Sequence, residues 1–99
     1  MAQKQIVWSN LAKIQFSDIL EFYAFRNGNI SYSLKLVDQV EDLLETLCRS
    51  ELIGRLTSNK FTRVLAIKTY LIFYEVNGNH IEIVSFWDNR QNPQHKKIK

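Results

Sequence analysis

The chain has 99 residues, 45% of them hydrophobic and 23% charged, which is one domain's worth of chain with enough apolar content for a modest core. That balance excludes an intrinsically disordered protein, and no apolar run approaches the length of a membrane span. The net charge of +3 is unevenly spread: residues 1–53 carry five Lys/Arg against seven Asp/Glu, and residues 54–99 carry eight against three. The basic second half is expected to attract a polyanion or an acidic protein partner.

Met1 to Asn10 lack the basic start and long apolar stretch of a signal peptide, so a cytoplasmic protein is expected. Cys48 is the single cysteine, which rules out an intrachain disulfide and a cysteine zinc site. No cofactor or metal is expected.

Gln5 to Trp8 is short, β-branched and aromatic, and reads as a first strand. Ser9 suits a helix N-cap, where its hydroxyl accepts a bond from a free amide. Ala12, Phe16, Ile19 and Tyr23 then recur at helical spacing, with Leu20 and Phe22 widening the stripe. Asn27-Gly28 ends this helix, since either residue tolerates the left-handed conformation of a C-terminal cap. A second helix follows over Ser31 to Arg49, with Leu36, Val40, Leu43, Leu44 and Leu47 on its buried side. The short connection makes the two helices an antiparallel hairpin.

Glu51 to Lys60 reads as a loop. Three strands are expected after it: Phe61 to Ile67, Tyr70 to Val76 and Ile81 to Trp87. Asn77-Gly78 marks the last hairpin, because both residues accept the positive φ of a type I′ turn. The tail from Asp88 is polar and basic, with Pro93 outside any regular element. The order βααβββ predicts an α+β fold, with the helical hairpin packed on one face of an antiparallel sheet and the whole chain, 1–99, as one domain.

Strict alternation places Tyr70, Ile72, Tyr74 and Val76 on one face of the sheet, and Leu71 and Phe73 on the other. In the last strand it groups Ile81, Ile83 and Trp87, with Val84 and Phe86 opposite. Two helices cover one face, so the other is left for the 51–60 loop, the tail or a partner. Tyr70, Ile72 and Trp87 are the residues expected to meet such a partner.

Several of these segments together resemble the RelE/ParE family of toxins from bacterial type II toxin–antitoxin, or plasmid stabilisation, systems. The carrying residues are Val7-Trp8-Ser9 with Ala12, Ile19 and Tyr23, the hairpin of Ile72-Phe73-Tyr74-Glu75-Val76 with Ile81-Glu82-Ile83-Val84, and Trp87-Asp88-Asn89-Arg90-Gln91-Asn92-Pro93. The resemblance covers nearly the whole chain. It implies a cognate acidic antitoxin that wraps the toxin, and one of two targets: messenger RNA on the ribosome, which is cleaved, or DNA gyrase, which is poisoned.

Cleavage would make the chain an endoribonuclease using the ribose 2′-OH as nucleophile, with a base, an acid and cations for the charged phosphorane. Arg90 takes the place of the family's functional arginine, with Arg63 and His95 as further catalytic candidates. Lys60, Lys68, Tyr74, Lys96 and Lys97 are candidates for binding RNA or another target. One departure counts against cleavage: the family's ribonucleases commonly carry a basic residue where Leu71 stands. A protein-interaction module without toxicity is the alternative from another class.

Overall fold

The computed structural model describes residues 4–89. Its elements run β1 (Gln5–Trp8), α1 (Asn10–Asn27), α2 (Ser31–Arg49), β2 (Arg55–Leu56), β3 (Thr62–Ile67), β4 (Tyr70–Val76) and β5 (His80–Asp88). The fold is α+β, with the helical hairpin packed on one face of a sheet whose strand order is β1-β5-β4-β3-β2. Three of its ladders are antiparallel, and β1 joins the edge in parallel with β5. β2 is an addition to the expected order. At two residues, inside a segment rich in turn formers, it carries no periodic signal of its own.

The helix ends follow local chemistry. Ser9 is extended, and its hydroxyl accepts a 3.0 Å bond from the Ala12 amide. The same hydroxyl donates to the Val84 carbonyl at 3.0 Å, fastening the start of α1 to β5. Gly28 closes α1 in the left-handed conformation at φ 74°, its amide bonding the Ala24 carbonyl. α2 has no side-chain cap at Ile30; instead the Ser33 hydroxyl donates to the Leu20 carbonyl at 2.7 Å and ties the two helices together.

Asn77-Gly78 does lie in the hairpin between β4 and β5, but neither residue has positive φ, so the expected type I′ turn is corrected. The connection is held by the Asn77 amide on the His80 carbonyl at 2.8 Å. Positive φ falls instead at Lys68, in the two-residue turn between β3 and β4, and at Lys60.

The face assignment of β5 is corrected by a β-bulge. Phe73 pairs with Ser85 and Tyr74 with Ile83, which leaves Val84 as an extra residue. One inserted residue reverses the alternation beyond it. Ile81 and Ile83 therefore face the helices, and so does Phe86, whereas Trp87 pairs with Leu71 on the opposite face, where Phe73 and Ser85 are buried. Phe86 sits among Phe16, Trp8 and Tyr70, at ring-centre distances of 4.6, 6.3 and 5.7 Å. The core joins this aromatic group to Ala12 and Ile19 of α1, to Leu36, Val40, Leu44 and Leu47 of α2, and to Ile72, Tyr74, Ile81 and Ile83 of the sheet.

Candidate functional site

β1 ends opposite Ile83, so the rest of β5 has no strand on that side. α1 runs there instead. Gln15 covers the exposed edge, its side-chain oxygen accepting from the Phe86 amide at 2.8 Å and the Ser85 hydroxyl at 3.0 Å. Below Gln15 the helix and strand diverge into a groove of about 600 Å³. Asp18, Ile19, Phe22, Tyr23 and Arg26 of α1 form one wall, and Phe86, Trp87 and Asp88 of β5 the other.

Tyr23 and Asp88 of the groove wall meet in a hydrogen bond, and a second hydroxyl pair lies at the core, outside the groove lining. Tyr23 donates to the buried carboxylate of Asp88 at 3.3 Å, and the Tyr32 and Tyr70 hydroxyls lie 2.7 Å apart. Burial first, then the bond to Tyr32, holds the Tyr70 hydroxyl protonated far above the ordinary tyrosine range. At the rim Phe22 is exposed, and its ring meets Tyr23 edge-on at 4.9 Å.

The groove belongs to a larger apolar surface. Leu11, Ile14, Phe22 and Phe25 recur at helical spacing on the side of α1 turned away from the core, and Phe25 is 90% exposed. α1 is thus apolar on two sides while the fold buries one. Exposed Asp18 stands between Ile14 and Phe22 on the same side, so this surface is two apolar pairs, Leu11 with Ile14 and Phe22 with Phe25, flanking a carboxylate. Sequence reasoning assigned Phe22 to the core and missed this second stripe; counting positions 11, 14, 22 and 25 separately from 12, 16, 19 and 23 would have revealed it.

The expected site residues scatter. Tyr70 and Ile72 are fully buried under the helices and present nothing to a partner, which corrects their assignment to antitoxin binding. Their face of β4 carries the core. Trp87 is half-buried on the opposite face, and its indole N–H is buried without a hydrogen-bond partner among the described residues.

Tyr74 is also fully buried, so it cannot grip RNA or a target. Its hydroxyl accepts from the Gly54 amide at 2.9 Å and donates to the Glu51 carbonyl at 2.8 Å. Burial raises its pKa, opposed by the Gly54 bond and by Arg63. Arg63 points its guanidinium at the carbonyls of Gly54, 2.8 Å away, and Leu52, 3.4 Å away. Both side chains anchor the 51–56 segment. Lys60 and Lys68 are exposed at separate turns, one at each end of β3. Arg90, His95, Lys96 and Lys97 lie outside the described residues. Among the described residues no group of three His, Cys, Asp or Glu is placed to hold a metal, and no helix is long and apolar enough to cross a membrane.

The fold is a helical hairpin on one face of a small sheet, with Leu11, Ile14, Phe22 and Phe25 of its first helix exposed. The model of the ParE toxin family, "ParE toxin of type II toxin-antitoxin system, parDE", matches residues 6–93, and the chain belongs to that family. It is the toxin component of a plasmid-stabilisation toxin–antitoxin system, and its family partner is a cognate antitoxin.

Among solved structures it is similar to a chain of the chromosomal ParDE system from P. aeruginosa. That likeness has a TM-score of 0.71 at 19% identity and covers 85% of this chain and 94% of the other, so it is one of fold. No curated protein sequence matches.

The endoribonuclease expectation is corrected by the family match. The match is to the ParE toxins and not to a messenger-RNA-cleaving family. The geometry agrees in one respect: Arg63 and Tyr74, two of the residues offered for RNA chemistry, are consumed in holding a loop.

Proposed function

We propose that this chain arrests growth by binding DNA gyrase as a non-catalytic poison, and that its antitoxin neutralises it by covering α1. The ParE family match over residues 6–93 carries the gyrase assignment. The antitoxin assignment is supported by the exposed stripe of Leu11, Ile14, Phe22 and Phe25, together with the groove beside it. A segment that folds on binding could lay one apolar face along this helix.

The test is gyrase supercoiling with the purified chain, with and without antitoxin. Supercoiling is expected to fall with toxin concentration and to recover when antitoxin is added. Undisturbed supercoiling at concentrations that accompany growth arrest would refute gyrase as the target.

A further inference from the structure

The loop between β2 and β3 is built more firmly than a plain connection requires. The Asn59 side-chain oxygen accepts from the amides of Phe61 and Thr62, each at 2.8 Å, and from the Thr57 hydroxyl at 3.1 Å. Its amide nitrogen donates to the Thr62 hydroxyl at 2.9 Å, and that hydroxyl donates to the Glu75 carboxylate at 2.9 Å. Two backbone bonds, Thr57 amide to Thr62 carbonyl at 2.8 Å and Lys60 amide to Thr57 carbonyl at 3.0 Å, close the turn. Lys60 adopts φ 68° within it.

None of these bonds involves the side chain of Phe61, which stands 77% exposed. A large ring left in water on a pre-ordered loop adds almost nothing to the core, and ordering it in advance lowers what a partner must supply on binding. Lys60 beside it and Arg55 on the paired strand are both exposed, and Leu56 is 44% exposed. Of the acids near the loop in the sequence and sheet, Glu51 pairs with Lys4 at 3.6 Å, while Glu75 accepts from the Thr62 hydroxyl and keeps its charge. The loop therefore presents an aromatic tip with two exposed cations, Lys60 and Arg55, against the single half-buried carboxylate of Glu75.

We infer that Phe61 is an anchor that enters an apolar, acid-rimmed pocket on the folded protein the toxin attacks, with Lys60 and Arg55 meeting the rim. This inference rests on the reading of the chain as a toxin that works by binding a protein target. A single rigid aromatic flanked by cations suits a pocket in a globular partner, where such anchors dominate binding energy. The long stripe on α1 suits a wrapping segment instead. The loop also lies at the far side of the sheet from α1, since β4 and β3 separate β2 from β5.

The experiment compares the parent chain with Phe61→Ala, Phe61→Trp and Lys60→Glu in growth arrest, gyrase inhibition, antitoxin affinity and thermal unfolding. Phe61→Ala is expected to raise the dose needed for arrest by more than about tenfold, as loss of an anchor does. Its melting temperature and antitoxin affinity should match the parent's. Phe61→Trp should retain activity, and Lys60→Glu should weaken arrest. Arrest by Phe61→Ala at the parent's dose overturns the inference. So does an equal loss of antitoxin affinity, which would make the antitoxin the occupant. If the parent leaves gyrase untouched yet Phe61→Ala abolishes arrest, the gyrase assignment falls and the anchor stands. If Phe61→Ala inhibits gyrase and arrests growth as the parent does, the anchor falls and gyrase stands.

Discussion

Tyr74 and Gly54 form a pair in which each residue accounts for the other. The Tyr74 hydroxyl occupies the space a side chain at position 54 would need: a Cβ built on Gly54 would lie 2.6 Å from that oxygen. Gly54→Ala is therefore expected to cost about 1–3 kcal/mol, the usual range for overpacking, read as a lowered denaturant midpoint. Tyr74→Phe leaves the Gly54 amide and the Glu51 carbonyl without their partner and is expected to cost a similar amount, about 1–3 kcal/mol.

Burial also makes these tyrosines pH sensors of stability. Both Tyr70 and Tyr74 have raised pKa values in the fold, so the folded state keeps protons that the unfolded chain releases above pH about 10. Stability should then be insensitive to these groups below pH about 10 and fall as pH rises beyond it. Tyr70→Phe is expected to flatten that fall, measured as urea unfolding at several alkaline pH values.

At the scale of elements, the start of α1 and the bulge of β5 are one device. The Ser9 hydroxyl caps the helix through Ala12 and donates to the carbonyl of Val84, the extra residue. Ser9→Ala is expected to cost about 1 kcal/mol for the cap. Loss of the Val84 bond adds to that, so the total should exceed the value for an ordinary cap in chemical denaturation.

Ser9, Gly28 and the bounds of α2 and β4 were legible in the sequence because each is set by neighbours in the chain. The bulge was not. Nothing in Ile81-Glu82-Ile83-Val84-Ser85-Phe86-Trp87 marks Val84 as unpaired, since pairing is decided by β4 opposite. From that one residue followed the exchange of Phe86 and Trp87 between faces. Tyr74 and Arg63 were misread for a related reason: polar groups on a strand look available to a ligand until the 51–56 segment is seen to use them. The exposed side of α1 was legible but was absorbed into the core stripe.

Across the whole molecule the apolar surface of α1 and the Phe61 loop lie at opposite sides of the sheet. β5 and β2 are three strand spacings apart, about 14 Å at the usual separation. Substitutions at two such surfaces should act independently unless one partner spans both. Phe25, 90% exposed on α1, contributes little to the core, so Phe25→Asp should leave the melting temperature unchanged. It should weaken antitoxin binding by more than about tenfold in titration calorimetry, because a carboxylate would be buried against an apolar partner. The Phe25→Asp, Phe61→Ala double variant should then lose antitoxin affinity by no more than Phe25→Asp alone. A larger loss would mean that the antitoxin reaches round the sheet to the loop as well. Equality would mean that it neutralises the toxin from the α1 side, its bulk keeping a large target off a loop it does not touch.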